Sequence, residues 1–127
     1  MRRGRHGRGR ELLQPTLLLI MLQGPAHGYE LMERLKEFSL GDIDPSLIYR
    51  ALHHLEAEGI VTSAWDEKDS QGPPRRVYHL TQDGREMLAQ HLEEMKKIRQ
   101  RIDDWIQAYE HHMQASEELT NKPKNEE

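Results

Sequence analysis

The sequence predicts a mostly α-helical fold with one small β-hairpin and a long C-terminal helix, on three observations. The stretch from Pro45 to Leu80 reads as a helix, a strand, a Gly/Pro turn and a second strand carrying two arginines. Two shorter apolar segments with helix start and stop signals precede it. Beyond it, apolar residues recur every seven positions from Leu88 to Tyr109. A helix followed at once by a short basic hairpin is the pattern of a winged helix-turn-helix domain, in which the helix enters a DNA groove and the hairpin grips flanking phosphates.

Each element has its own local signals. Residues 1–10 are rich in Arg and Gly and form a flexible basic arm. A first helix spans Gln14 to Leu22, with Pro15 tolerated in its opening turn and Gln23-Gly24-Pro25 ending it. His27-Gly28-Tyr29 opens a second helix, in which Leu31, Leu35 and Phe38 recur at helical spacing before Gly41 closes it. Asp44-Pro45-Ser46 is a clear start, with Asp as the cap and Pro at the first helical position. This third helix runs to Glu58, where Gly59 supplies a left-handed stop. Ile48, Leu52 and Leu55 form its buried stripe, and Ser46, Tyr49, Arg50, His53 and Ala57 lie on another face.

Ile60 to Trp65 is β-branched and aromatic enough for a strand, and Arg75 to Leu80 is its natural partner. The intervening Asp66 to Pro74 includes Gly72, Pro73 and Pro74, which suit a turn. Thr81 caps the last helix, where Gly84 is a weak helix former costing roughly 1 kcal/mol relative to Ala. That helix is expected from about Gln82 to Met113, roughly 48 Å at ~1.5 Å per residue. Leu88, Met95, Ile102 and Tyr109 repeat at heptad spacing, His91, Ile98, Trp105 and His112 fall between them, and Leu92, Ile106 and Met113 widen the stripe. A small domain needs no helix of that length for its own core, so a second copy of the chain is the simplest cover. The organisation expected is a basic arm over 1–10, a winged helix domain over 11–81, a dimerisation helix over 82–115 and a disordered polar tail over 116–127.

Composition narrows the function. The chain has 127 residues, 35% hydrophobic and 31% charged, with no cysteine and a net charge of −4. Arg2, Arg3, Arg5, Arg8 and Arg10, with no acid among them, give the first ten residues +5. The thirteen other Lys and Arg against 22 acids leave the rest at −9. Such an arm can condense on phosphates or enter a minor groove. The absence of cysteine rules out thiol chemistry and fits a reducing cytoplasm, the expected location. The apolar run Leu17–Leu22 is too short to span a bilayer, so no membrane association is expected, and the arginine-rich start is not read as a signal peptide.

At these residues the chain resembles the PadR-type transcriptional regulators, in the branch with one C-terminal helix. The matching motifs are His27-Gly28-Tyr29-Glu30-Leu31, then Leu47-Ile48-Tyr49-Arg50-Ala51-Leu52 with Leu55-Glu56 and Glu58-Gly59. After these come Gly72-Pro73, Arg75-Arg76-Val77-Tyr78-His79-Leu80-Thr81 and Gly84. Together they cover about residues 14–92. The resemblance implies a homodimer on a pseudo-palindromic operator in double-stranded DNA, usually a repressor relieved by a small molecule. It further implies that Tyr49 is the recognition-helix tyrosine and that Arg75 and Arg76 form the basic strand of the wing. At the wing tip Asp66, Glu67 and Asp69 outnumber Lys68, which places phosphate contacts on Arg75 and Arg76 or on Lys68 alone.

The expected DNA contacts are therefore Ser46, Tyr49, Arg50, His53, Lys68, Arg75 and Arg76, with Arg2, Arg3 and Arg5 from the arm. The expected dimer interface is Leu88, His91, Leu92, Met95, Ile98, Ile102, Trp105, Ile106 and Tyr109. Trp105 and Tyr109 read first as dimer core; with Met95 they are also the candidate wall of a pocket for a small aromatic or hydrophobic effector. The eight histidines lack the compact spacing of a ligand set, so no metal and no cofactor is expected. With no cysteine nucleophile, phosphate-cradling glycine loop, His-Glu-x-x-His or paired carboxylate site, the chain is not read as an enzyme. The rival reading is a winged helix module that holds a protein partner without binding an operator, the acidic body repelling DNA.

Overall fold

The computed structural model describes residues 10–66 and 74–121. The chain divides into two units, one ending at His91 and the other beginning at Leu92. In the first, a short 3-10 turn over Arg10–Leu12 leads into α1 (Leu13–Leu22). Leu13, Leu17, Leu18, Ile20 and Met21 of α1 are all buried. This helix is apolar nearly all round because it runs through the middle of the core.

A two-residue strand, β1 (Ala26–His27), follows and opens directly into α2 (Gly28–Leu35). The sequence reading missed β1, since two residues carry no alternation and their partner is remote in the chain. After α2, a 3-10 turn at Lys36–Phe38 ends at Ser39, which takes a left-handed φ of 61°. The second helical element thus stops before Gly41. Phe38 is exposed, and Leu40 is the residue that turns into the core.

The third helix, α3 (Pro45–Ala57), begins as expected. The Asp44 carboxylate accepts the Ser46 N–H at 2.9 Å, with Pro45 at the first helical position. Gly59 ends it with φ at 77°, and the Ile60 N–H returns to the Leu55 carbonyl at 2.9 Å. β2 (Val61–Asp66) and β3 (Arg75–Leu80) then pair antiparallel, from Val61 opposite Leu80 to Asp66 opposite Arg75. The connection between them, and with it Lys68, lies outside the described residues. β1 pairs with the other edge of β3, Ala26 opposite Tyr78 and His27 opposite Val77, so the sheet order is β1-β3-β2.

The last element, α4, spans Gln82–Asn121. The Thr81 hydroxyl lies 2.7 Å from the Gly59 carbonyl and 2.8 Å from that of Ile60, and its oxygen accepts the Gly84 N–H at 3.0 Å. Gly84 proves to be required where sequence alone made it a weakness. A Cβ there would stand 2.3 Å from the Ile60 carbonyl oxygen and 2.6 Å from Leu80 Cδ1. Met87 and Leu88 in the first turns of α4 pack against the core. The helix also continues through residues 116–121, which the sequence reading assigned to a disordered tail. No helix breaker occurs before Pro123.

In the second unit, which is helical through Asn121, Leu92, Ile98, Ile102, Trp105, Ile106, Tyr109 and Met113 are all exposed. No helix among the described residues is long and apolar enough to cross a membrane.

Candidate nucleic-acid interface

Capping and periodicity together fix where Tyr49 points. With Asp44 and Pro45 setting the helix start and Ile48, Leu52 and Leu55 turned into the core, Tyr49 falls outside the buried stripe and is 45% exposed. Its ring lies over Gly28 at the start of α2, where the absence of a side chain leaves room. On the far side, β3 contributes Arg75, Arg76 and Tyr78. His27, Gly28, Tyr29, Tyr49, Arg75, Arg76 and Tyr78 line one open cavity of about 410 Å³. Ser46 and His53, three residues before and four after Tyr49, share its helix face and are exposed.

Arg50 departs from this grouping. It lines a different cleft of about 570 Å³, with Glu11 just before α1, Gln14 of α1, His54 of α3 and His91 of α4. At 3.6 residues per turn, neighbouring side chains diverge by roughly 100° around the helix. Tyr49 and Arg50 therefore face different surfaces of the domain, contrary to the single face expected from sequence.

The two wing arginines also differ. Arg75 is exposed at the strand end. Arg76 is engaged within the domain: its Nη1 donates to Ser63 Oγ at 2.7 Å and stands 3.9 Å from Glu56 Oε2. Its guanidinium lies 4.7 Å from the centre of the Trp65 ring. Ser63 Oγ in turn donates to Glu56 Oε2 at 2.6 Å.

A second set of polar contacts borders the cavity. The His27 N–H donates to Glu30 Oε1 at 2.7 Å, and the imidazole Nδ1 meets the same oxygen at 2.7 Å. Nε2 reaches Asp66 Oδ2 at 3.3 Å, so one ring spans the start of α2 and the end of β2. The His27 backbone N–H, then its ring, holds the Glu30 carboxyl below its usual range, and the Arg75 charge adds to this. The Asp44 carboxyl is likewise lowered, chiefly by the Ser46 backbone N–H. Burial pushes the Tyr78 phenol up.

His27, Tyr29, Glu56, Ser63, Trp65 and Tyr78 are not among the DNA contacts expected from sequence. The His27-Gly28-Tyr29 motif reads in the sequence as a helix start and as part of the family resemblance, without a role at the DNA surface. Trp65 and Arg76 become visible as a pair once β2 and β3 are set in register across the turn, because residues directly opposite share a sheet face. Arg2, Arg3, Arg5 and Lys68 lie outside the described residues. Among those described, no group of three or more His, Cys, Asp or Glu is placed to hold a metal ion.

On α4, Leu88 belongs to the winged domain's core and His91 to the Arg50 cleft, so the first stripe positions already have partners in their own chain. Trp105 and Tyr109 stack with ring centres 5.8 Å apart and planes 13° from parallel. Met95 lies ten residues earlier, about 15 Å along the axis, so the three do not form one wall within a single chain.

Comparison with known proteins agrees with this architecture. Residues 17–90 match the model of the transcriptional regulator PadR-like family. The chain is 28% identical over 110 residues to the Transcriptional regulator YqjI of Escherichia coli (strain K12), covering 78% of this chain and 51% of that one. It thus spans about half the length of that relative. Among solved structures, it is 34% identical to a conserved protein of unknown function described as a potential transcriptional factor, with a TM-score of 0.72 over 81% of this chain and 91% of the other. A PadR-like transcriptional regulator from Bacillus cereus shares the fold, with a TM-score of 0.70 at 23% identity over 78% of this chain and 95% of the other. The family match takes in α2, α3, the described wing strands and the start of α4, and the chain belongs to the transcriptional regulator PadR-like family.

Proposed function

We propose that the protein is a homodimeric, sequence-specific repressor that binds a pseudo-palindromic operator and releases it when a small aromatic or hydrophobic effector binds. The observation that carries the DNA reading is the cavity shared by Tyr49 of α3 and Arg75 of β3. A recognition helix reads base edges while a wing holds the backbone, and a common concavity lets both meet one duplex. Ser46 and His53 flank Tyr49 on the reading face. Arg50 serves the same duplex from the neighbouring face, and the arm arginines Arg2, Arg3 and Arg5, with Lys68, add phosphate contacts.

Dimerisation is supported by the exposed apolar stripe from Leu92 to Met113, which water alone would leave uncovered. The stacked Trp105 and Tyr109 are the part of that stripe best suited to hold a planar effector. Cytoplasmic action follows from an operator as target.

Footprinting on the DNA adjoining the gene, with candidate effectors titrated in, tests this reading. The expected result is a protected site with two-fold symmetry, and log affinity falling with log salt at a slope near −0.9 for each phosphate neutralised. No shift of random duplex at micromolar protein and low salt would favour a protein-holding module, the reading that the −9 charge outside the arm supports.

A further inference from the structure

Ser63, Trp65, Arg76 and Glu56 form a chain of contacts that phosphate binding does not require. Trp65 and Arg76 are opposite partners in the β2–β3 ladder, and Ser63, two residues before Trp65, projects from the same face. Glu56 approaches that face from the last turns of α3. Its Oε2 accepts the Ser63 hydroxyl at 2.6 Å, and Ser63 Oγ accepts Arg76 Nη1 at 2.7 Å. Above them the guanidinium covers the indole at 4.7 Å. The chain of contacts thus runs from the recognition helix through both wing strands.

Two features separate this arrangement from an ordinary surface ion pair. The Arg76 cation is already opposed by a carboxylate, so a DNA phosphate would have to compete with Glu56 for it. Trp65 is 57% exposed, yet one face of its ring is covered by a planar cation whose own position is fixed by a hydroxyl. Only a guanidinium offers both the flat stack and the directional N–H; an ammonium supplies charge alone.

We propose that Glu56 is a positioning residue for DNA recognition. Acting through Ser63 and Arg76, it holds Trp65 and the wing in fixed register with α3 and leaves Arg75 as the phosphate contact of β3. This rests on the reading that α3 and the wing bind one duplex. A surface pair of this kind adds little to stability; its effect is on geometry, and so on preference for the operator over random DNA.

The test uses the full chain and two readouts. The first is Trp65 emission without DNA, taken as the difference from Trp65→Phe. The second is binding to operator and to random duplex across a salt series. Arg76→Lys and Glu56→Gln should each shift Trp65 emission and lower operator preference about tenfold, with random-duplex affinity held within about threefold. Glu58→Gln, the same charge change on an exposed carboxylate outside the chain of contacts, should do neither. Arg75→Ala should weaken operator and random duplex alike and reduce the salt slope by ~0.9, whereas Arg76→Ala should leave the slope unchanged.

Parental emission and preference in Arg76→Lys would overturn the proposal. So would a loss of slope in Arg76→Ala equal to that in Arg75→Ala. A parent protein that does not distinguish operator from random DNA would overturn the DNA reading itself, and with it the role in recognition. Unchanged emission beside a parent that does distinguish them would overturn only the positioning.

Discussion

The phenol of Tyr49 occupies the space that a side chain on residue 28 would need: a Cβ on Gly28 would stand 2.9 Å from the Tyr49 hydroxyl and 3.0 Å from Cε1. The neighbour that must give way is the far end of an exposed side chain, so Gly28→Ala should fold and turn Tyr49 out of the cavity. Operator affinity should drop about tenfold, equivalent to ~1.4 kcal/mol. In a Tyr49→Ala background the same glycine change should have no further effect. Full additivity in that double-mutant cycle would show that Gly28 acts otherwise.

Gly84→Ala should destabilise the protein although Ala is the better helix former by about 1 kcal/mol. The obstacle is the Ile60 carbonyl oxygen, 2.3 Å from the added Cβ, and backbone cannot step aside as a side chain can. Overpacking of this kind costs about 1–3 kcal/mol, read as a lower urea midpoint with an unchanged slope. A variant more stable than the parent would contradict this.

Acid should weaken the fold through Glu30 and Asp44. Both carboxyls are lowered, by the His27 and Ser46 N–H groups respectively. Their contribution is therefore complete above the unfolded-state value near pH 4 and is lost as pH falls through the lower folded values. Glu30→Gln with Asp44→Asn should be less stable than the parent at pH 7 and should converge on it as pH falls through the lowered folded values. Urea unfolding across that range checks the sign.

The exposed α4 stripe makes the oligomer testable apart from DNA. Ile98→Asp with Ile102→Asp should sediment as a monomer and lose most of its operator affinity, while Gly84 and the winged domain keep their fold by circular dichroism. Dimers in that variant would move the interface elsewhere, and the apolar α1 with exposed Leu22 would be the next place to look.

What was legible in the sequence was what short segments decide. Asp44-Pro45 and Gly59 bound α3 because capping and left-handed stops are local chemistry, and the structure follows them to within a residue. Tyr49 beside the wing arginines was legible for the same reason, since helix phase is set by Ile48, Leu52 and Leu55. What depends on distant partners was not. Arg76 looked like a second Arg75 until Glu56 and Ser63 were seen around it. Gly84 looked like a flaw because a propensity scale knows nothing of the Ile60 carbonyl, and Arg50 was grouped with Tyr49 because a helix face was drawn too wide.

The two-residue strand β1 has a consequence for solubility. With Ala26 and His27 paired to Tyr78 and Val77, β3 is covered at those two residues on the edge away from β2. Moving that short strand off the sheet, with α1 still in the core, would expose the backbone of Val77 and Tyr78. Such bare backbone is a template for sticking to other molecules edge to edge, so full-length variants that loosen Ala26 and His27 should clump more readily than the parent.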